Sequence, residues 1–168
     1  VTLVNASVSV EPPMFVDVVN VTSAADMADV VKSKAAEQDI IIMTAAVADF
    51  CPSHPADEKI KKNDSSYESV IELERTEDIL SYLGAHKAKG QLICGFSMET
   101  QNMLENSKAK LAKKNADMIV ANNLKVAGAG FGTDTNVVTL ITADDCTELE
   151  IMDKSCVAAR IMDRLLQM

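Results

Sequence analysis

The sequence predicts an α/β fold with a doubly wound, Rossmann-like and mostly parallel sheet that carries helices on both faces. Three apolar runs of strand length, beginning at Asp39, Gln91 and Ala116, are separated from one another by helical segments. Continuous apolar runs are typical of strands covered on both faces, and their alternation with helices is typical of α/β domains. The apolar stretches that flank "ADD" near the C-terminus predict an antiparallel hairpin at one edge of the sheet.

Local signals place the elements of the first half of the chain. β-Branched runs indicate strands, and Thr22 or Ser23 can cap the first helix, which has Asp26 in its first turn. Two prolines and three lysines mark the loop after the first buried strand. In order, the predictions are strands over 1–8 and 15–21, a helix over 22–38, a buried strand over 39–47, a loop over 48–65, and an edge strand over 66–74, "SYESVIELE".

The second half continues the alternation. Thr76 is the expected cap of the next helix, and lysines gather toward the C-terminus of the helix after it, where the helix dipole favours cations. The closing helix is amphipathic, because Val157, Ile161 and Leu165 recur on one face. In order, these elements are a helix over 76–87, a strand over 91–98, a helix over 99–115, a strand over 116–124, a glycine-rich loop over 125–136, the hairpin over 137–151 and a helix over 155–168.

Composition limits the function. The chain has 168 residues without an internal repeat or a linker, which predicts a single domain over residues 1–168. A net charge of −9 argues against non-specific binding to nucleic acid or to an anionic membrane. No apolar run approaches the ~20 residues of a membrane helix, and the first residues lack the charged region of a signal peptide. The four cysteines form no C-x-x-C pair, so we expect reduced thiols and a cytoplasmic protein.

Three features follow the predicted strands at the edge where α/β sheets bind ligands. "AAVADF", Ala45 to Phe50, has small residues that let a ligand approach the backbone, and it ends near the Asp49 carboxylate. "EKIKK" brings Lys59, Lys61 and Lys62 close together, and lysine is a common phosphate binder. Lys110 and Lys114 lie four residues apart and so share a helix face. These positions would suit a nucleotide site with a few local cations.

Each feature also has a purely structural explanation. The alanines can pack a helix, the lysine run can be a solvated loop, and the helix lysines can neutralise a helix C-terminus, as Lys108 and Lys113 on other faces suggest. "AGAGFG" (127–132) precedes no predicted helix and is therefore not a dinucleotide fingerprint. His54 and His86 have no partner at metal or triad spacing, and we interpret both as surface residues.

The order of the motifs is more specific than any one of them. "AAVADF", "EKIKK", "TEDI", "GFSMET", "KAKLAKKNADMIVANN" and "GFGTDTN" follow one another over nearly the whole chain. In this order and spacing the sequence resembles phosphopantothenoylcysteine synthetase of the bacterial, CTP-dependent kind. In that family the ligase is often the C-terminal domain of a bifunctional coenzyme A biosynthesis protein, fused to a flavin-dependent decarboxylase. The resemblance implies a ligase domain without flavin of its own.

The resemblance also implies a reaction. The family joins 4'-phosphopantothenate and L-cysteine, using CTP with Mg²⁺ to form an acyl-cytidylate and pyrophosphate before cysteine attacks and CMP leaves. Family members are homodimers that associate partly through the strand after the lysine loop, here "SYESVIELE". The partners implied are therefore CTP, 4'-phosphopantothenate, L-cysteine and a second copy of the chain, with no nucleic acid and no membrane.

Site residues are carried over by position in the motifs. Lys59 matches the loop lysine that promotes acyl-nucleotide formation, and it is the predicted catalytic residue. Asn122 matches the substrate side, and no protein ligand to a metal is predicted. Glu77 stands where the family commonly has proline. The residues that match the nucleotide-binding positions are Met43, Thr44, Ala45, Asp49, Lys59, Glu77, Asp78, Ile79, Leu80, Phe96, Lys110 and Lys114.

One family unit has no counterpart in this sequence. Family members open with a strand, a glycine-rich turn and a helix, about 30 residues in all, which would precede Val1. The resemblance therefore implies an N-terminally incomplete domain. Two other functions stay open: a nucleotide-binding module without catalytic activity, and an NAD(P)-dependent oxidoreductase whose G-x-G-x-x-G turn would lie in the part that is not present.

Overall fold

The computed structural model describes residues 1–6, 8, 10–56, 58–59, 70–99, 102–123, 130 and 132–168. Strands and helices alternate along this part of the chain. In chain order they are β1 (Thr2–Ala6), β2 (Asp17–Val21), α1 (Ala24–Ala35), β3 (Ile40–Met43), β4 (Phe50–Pro52), β5 (Leu73–Arg75), α2 (Ile79–Ala85), β6 (Leu92–Glu99), α3 (Met103–Lys114), β7 (Met118–Asn123), β8 (Thr135–Asn136), β9 (Val138–Ile141), β10 (Cys146–Glu148), β11 (Met152–Asp153) and α4 (Lys154–Leu165).

The chain divides into two compact units. The first contains Val1–Val31 and Ala46–Asp78, and the second contains Lys32–Ala45 and Ile79–Met168. The single domain over residues 1–168 stays a prediction. Most of the predicted nucleotide-site positions fall in the second unit, which carries the larger sheet.

The first unit is built from two short strand pairs. β1 and β2 are parallel, and the side-chain amide of Asn5 donates to Asn20 Oδ1 across them at 3.0 Å. β4 and β5 are antiparallel, with Pro52 opposite Leu73. The prediction of a loop over 48–65 is therefore wrong at β4. Proline obscures a strand in sequence because it cannot donate to the ladder, yet an edge position tolerates it.

The predicted edge strand "SYESVIELE" is only partly observed. Leu73 and Glu74 belong to β5, whereas residues 70–72 precede it and residues 66–69 lie outside the described part of the chain. The start of α1 agrees with prediction. The Asp26 N–H donates to Ser23 Oγ at 3.1 Å, so Ser23 caps the helix, and the Asp26 carboxylate accepts bonds from Thr22 and Ser23. These bonds, above all that from the Thr22 hydroxyl, lower the pKa of Asp26.

The second unit contains a five-stranded sheet in the order β10-β9-β7-β6-β3. β3, β6 and β7 run parallel, whereas β9 is antiparallel to both β7 and β10. The β9–β10 hairpin turns at Thr142 and Asp145, where the Thr142 N–H donates to the Asp145 carbonyl at 2.9 Å. The α/β class, the parallel centre and the antiparallel hairpin at the edge are thus confirmed.

Helices cover both faces of this sheet. α4 packs on one face, in a core cluster of Cys94, Met118, Val120, Val138, Leu140, Val157, Ile161 and Leu165. Strand side chains alternate between faces, so Ile93, Ile119 and Ile141, which are fully buried, point to the other face, the side of α2 and α3. Two helix residues on that side, Leu83 and Leu111, are also buried.

β3 differs from its prediction as a buried strand. It lies at the edge of the sheet and pairs only with β6 among the described residues. Each of its residues is partly accessible, and Ile42 is 37% exposed. An apolar run therefore does not reveal whether a strand is central. All four residues of β9 and the first four of β7 are buried. None of the helices in the described part of the chain is both long and apolar enough to span a membrane.

Candidate functional site

The candidate site lies at the carboxyl ends of β3, β6 and β7, where the parallel strands of the second unit end together. Met43 is the last residue of β3 and pairs with Gly95 of β6, whereas Met98 of β6 pairs with Asn122 of β7. Thr44 and Ala45 follow Met43 and are exposed. The predicted residues Met43, Thr44, Ala45, Phe96 and Asn122 therefore share one end of the sheet, the end that binds ligands in open α/β sheets.

The Lys110 ammonium reaches the end of β6 from α3. Its Nζ donates to the main-chain carbonyl oxygen of Phe96 at 2.8 Å. Phe96 lies one residue past the Met43–Gly95 pair, the last between β3 and β6. The Phe96 ring packs against the core cluster on the α4 face and stays partly accessible. The ammonium of Lys110 is thus held at the strand end by a backbone carbonyl.

Lys114 lies one turn further along α3 and contacts α2. Its Nζ donates to Ser81 Oγ at 2.9 Å. Lys110 and Lys114 are both half-buried, whereas Lys108 and Lys113 on other faces are exposed. The contacts of Lys110 and Lys114 to β6 and α2 differ from those expected of lysines that only neutralise the C-terminus of their own helix.

α2 packs closely on the sheet and on α3. A Cβ added to Gly95 would lie 2.7 Å from Leu80 Cδ2, so Leu80 rests directly on β6. Ile79 is 4% exposed, which places its side chain in the core. A Cβ added to Gly84 would lie 1.8 Å from the carbonyl oxygen of Lys114. Gly84, which weakens the helix by propensity, is therefore needed for the close approach of α2 to α3.

The C-terminus of α3 is fixed against α2 by a side chain. Asn115 adopts a left-handed conformation with φ of 48° and caps α3. Its Nδ2 donates to the Gly84 carbonyl oxygen at 2.8 Å. This contact, together with the close packing at Gly84, sets the position of Lys114 relative to Ser81.

Asn122 makes two side-chain contacts at the end of β7. Its Nδ2 donates to the Ser97 carbonyl oxygen of β6 at 3.4 Å, and its Oδ1 accepts a bond from Asn136 Nδ2 at 2.7 Å. Sequence reasoning did not select Asn136. The signal that could have found it is its place as the last residue of "GFGTDTN".

Two hydrogen bonds from Thr76 hold the backbone at the predicted residue Asp49 in the first unit. The Thr76 hydroxyl donates to the Ala48 carbonyl oxygen, and the Thr76 N–H donates to that of Asp49 at 3.0 Å. The prediction that Thr76 caps α2 is wrong, because its hydroxyl is used at Ala48 and α2 begins only at Ile79. Asp49, the predicted carboxylate, is exposed.

The remaining predicted residues of this unit are accessible. Glu77 and Asp78 are exposed immediately before α2, and each has further contacts in the structure. Lys59 is exposed and non-regular in conformation, whereas Lys61 and Lys62 lie outside the described residues. Both histidines are exposed, as predicted for surface residues, and His54 Nε2 lies 3.9 Å from a Glu72 oxygen.

A partly buried ion pair supports the opposite end of the same strands. Lys87 Nζ lies 2.8 Å from Asp117 Oδ1, and Asp117 Oδ2 accepts the N–H of Ile93 at 2.7 Å. Cys94 beside it is fully buried, and burial, followed by the Asp117 charge, raises its pKa to about 12. None of the four cysteines forms a disulfide. Within the described ranges no cluster of three or more His, Cys, Asp or Glu side chains can hold a metal ion.

Comparison with known proteins identifies relatives along the whole chain. Residues 1–168 match the family described as DNA/pantothenate metabolism flavoprotein C-terminal domain. The chain is 45% identical over 167 residues to the coenzyme A biosynthesis bifunctional protein CoaBC of Bacillus subtilis (strain 168), covering 98% of the chain and 40% of that protein. It is 44% identical over 168 residues to a cysteine/cysteine sulfinic acid decarboxylase of an unidentified prokaryote, covering 99% of the chain and 46% of that protein. The chain thus spans less than half the length of these two curated relatives.

Solved structures agree with this result. The crystal structure of the C-terminal domain of CoaBC superposes with a TM-score of 0.79 at 40% identity, covering 99% of this chain and 74% of that one. A Cab2 H337A mutant in complex with phosphopantothenate-cysteine gives 0.64 at 17% identity, covering 90% and 53%, and shows the shared fold alone. The resemblance inferred from the order of the motifs is confirmed. The chain belongs to the family of the DNA/pantothenate metabolism flavoprotein C-terminal domain.

Proposed function

We propose that this domain is the ligase that joins 4'-phosphopantothenate and L-cysteine in coenzyme A biosynthesis, with CTP as the activating nucleotide. A carboxylate oxygen of phosphopantothenate attacks the α-phosphorus of CTP, the bond to pyrophosphate breaks, and an acyl-cytidylate forms. The cysteine amine then attacks the acyl carbon, the bond to CMP breaks, and the amine loses a proton. Family membership and the names of the CoaBC relatives support the coenzyme A assignment.

The pair of lysines on α3 carries the nucleotide part of the proposal. Lys110 and Lys114 are half-buried cations whose amines are fixed at Phe96 and Ser81. Each donates one of its three N–H groups in these contacts, and an ammonium can serve several acceptors. Positive charge held in place before the reaction stabilises the charge that develops on a leaving phosphate. Thr44 and Ala45, which follow Met43, are exposed, a position from which backbone groups can read a base edge.

The loop lysine, Lys59, supplies the third cation of the proposal. Lys59 is exposed, as a residue that approaches bound phosphates must be before the nucleotide arrives. Its role in acyl-cytidylate formation is inferred from the family resemblance. Mg²⁺ belongs to the nucleotide substrate in this proposal, because this ion usually reaches such sites bound to substrate phosphates.

We further propose a homodimer in the cytoplasm, with the decarboxylase as a separate domain of the full-length protein. Exposed apolar side chains at and before β5 support the dimer, since Val70, Ile71 and Leu73 are 82%, 72% and 59% exposed. Apolar patches of this kind are typical of association sites. Light scattering of the eluted protein tests the dimer, and replacement of Ile71 and Leu73 by serine should yield a monomer.

The function is tested by supplying all of its substrates. The full-length protein is incubated with CTP, Mg²⁺, phosphopantothenate and cysteine, and pyrophosphate, CMP and the amide product are measured. Equal amounts of the three products are expected. Thermal stabilisation by CTP without pyrophosphate would instead identify a nucleotide-binding module, and ATP in place of CTP tests the base. Turnover of NAD(P) is not expected, and a dinucleotide titration checks it.

A further inference from the structure

The motif "GFGTDTN", residues 130–136, has no role in the proposed function described above, yet its last residue contacts the candidate site. Asn136 Nδ2 donates to Asn122 Oδ1 at 2.7 Å, the shorter of the two side-chain hydrogen bonds described for Asn122. Asn122 is the residue assigned to the substrate side. The motif therefore reaches the substrate side through one amide–amide contact.

The turn that leads to Asn136 is closed within the motif. Gly130 and Gly132 have φ of 106° and 72°, conformations that favour glycine. The Thr133 hydroxyl lies 3.2 Å from the Gly130 carbonyl oxygen and 2.9 Å from that of Thr135, so it can donate to either. The glycines and the threonine thus have a common effect, which is to deliver Asn136 at a defined position.

The Asn136 side chain is itself held at both ends. Its Oδ1 accepts the N–H of Val137 at 2.9 Å while its Nδ2 donates to Asn122. Its backbone pairs with Met152 in the antiparallel β8–β11 ladder. Because the oxygen end is fixed by a backbone donor, the nitrogen end must face Asn122.

This arrangement determines which way the Asn122 amide points. Its oxygen faces the Asn136 donor, so its nitrogen faces β6, where the Ser97 carbonyl oxygen accepts one N–H at 3.4 Å. A carboxamide nitrogen has two N–H groups. Within the described residues, these contacts leave the second N–H of Asn122 for a ligand. A flipped amide would set two NH₂ groups against each other and lose both bonds.

We propose that Asn136 is a positioning residue, which fixes the Asn122 carboxamide so that its second N–H donates to an oxygen atom of phosphopantothenate. This inference rests on the proposed ligase function. It gives the last residue of the motif an effect on one substrate, whereas a purely structural role in the β8–β11 pair would affect stability and all substrates together.

The test compares two changes at one position. Asn136→Ala removes both side-chain bonds. Asn136→Asp keeps the acceptor for the Val137 N–H, but its carboxylate faces Asn122 Oδ1 and forces the Asn122 amide to rotate. A positioning role predicts that the KM for phosphopantothenate rises about tenfold with alanine, the effect of one hydrogen bond, and at least as much with aspartate. The KM for CTP should stay within about twofold in both variants.

Asn122→Ala and the double variant complete a mutant cycle. If Asn136 acts through Asn122, the double variant should have the same KM for phosphopantothenate as Asn122→Ala alone, within about twofold. Asn5→Asp serves as the matched control, because it removes an amide–amide bond of the same kind, from Asn5 to Asn20 in the first unit. It should lower the thermal stability without changing that KM.

Three outcomes would overturn the inference. The first is a KM for phosphopantothenate that is lower with aspartate than with alanine, since this would assign Asn136 to the Val137 bond alone. The second is additivity of the two alanine changes. The third is an active wild-type enzyme in which Asn122→Ala has no effect. A wild-type protein without turnover would refute the ligase function, and the inference would fall with it. This outcome is distinguished from the other three by the activity of the wild-type protein.

Discussion

The ammonium of Lys110 lies 2.8 Å from the main-chain carbonyl oxygen of Phe96, one residue past the last pair between β3 and β6. A cation is thereby fixed at the ligand-binding end of a parallel sheet, without a carboxylate partner in this contact. Lys114 is held one turn further along the helix by Ser81 Oγ at 2.9 Å. Because the Phe96 carbonyl oxygen carries no formal charge, its contact with Lys110 does not cancel the charge of that ammonium, which favours the binding of an anion such as a triphosphate.

Lys110→Ala and Lys114→Ala should therefore each weaken CTP binding by about tenfold or more, since hydrogen bonds to charged groups contribute about 1.5–3 kcal/mol. Calorimetric titration with CTP measures the loss. Lys113→Ala is the matched control, because this lysine lies on the same helix and is exposed. Unchanged CTP affinity in both site variants would show that the two lysines only stabilise the packing of α3.

Lys59→Gln should largely abolish acyl-cytidylate formation while the fold remains intact. Lys59 is exposed, and substitutions at such positions usually change stability by less than about 0.5 kcal/mol. Pyrophosphate release with CTP and phosphopantothenate, in the absence of cysteine, isolates the first half-reaction. Lys62→Gln is the control in the same sequence motif and should retain activity. Turnover near the wild-type rate in Lys59→Gln would disprove the catalytic role of Lys59.

Gly84→Ala should destabilise the protein by about 1–3 kcal/mol, the usual effect of overpacking. The added Cβ would lie 1.8 Å from the Lys114 carbonyl oxygen, and backbone atoms cannot yield as a flexible side chain does. Because α2 and α3 must move apart, the Lys114–Ser81 contact is lost and CTP affinity should fall as well. Urea unfolding and CTP titration measure the two effects.

Gly90→Ala separates backbone strain from overpacking. Gly90 has φ of 85° but open space around its α-carbon, so alanine there should cost stability through strain alone, about 1 kcal/mol. CTP affinity should be retained. Equal CTP affinity in both glycine variants would contradict the link between the α2–α3 distance and the nucleotide site.

The contrast between β7 and β3 shows what the sequence can predict. Both are apolar runs, and both were expected to be buried strands. β7 lies between β6 and β9 and its first four residues are buried, whereas β3 lies at the edge of the sheet in the described part of the chain, with Ile42 37% exposed. The run of apolar residues predicts that a strand exists, but its place in the sheet depends on pairing between distant segments. β4 was not predicted because it contains Pro52, and a strand tolerates proline only at an edge position. Whether a strand has such a position again depends on its pairing.

The candidate site likewise combines features that the sequence predicts with features that depend on the tertiary structure. The four-residue spacing of Lys110 and Lys114 predicts that they share a face, and the order of the motifs selects Phe96 and Asn122. The acceptors of the two lysines depend on how closely α3 approaches α2, which Gly84 and Asn115 determine. The Asn136–Asn122 contact depends on the turn after Gly130 and on the short β8–β11 ladder. No local pattern in the sequence reports these tertiary distances.

Cys94 should make the protein lose stability at alkaline pH. Burial, followed by the Asp117 charge, raises the pKa of its thiol from 9.0 to about 12 in the folded chain. Below pH 9 the thiol is protonated in both states and adds no pH dependence. Between these pKa values the unfolded thiol ionises while the folded one does not, so unfolding releases a proton and the free energy of unfolding falls as pH rises.

Urea unfolding of the wild type and of Cys94→Ala from pH 8 to 10.5 measures this effect. The free energy of unfolding of the wild type should fall with an extra slope that approaches about 1.4 kcal/mol per pH unit. Cys156→Ala, at an exposed position, should keep the wild-type slope, and identical slopes in wild type and Cys94→Ala would refute the burial effect.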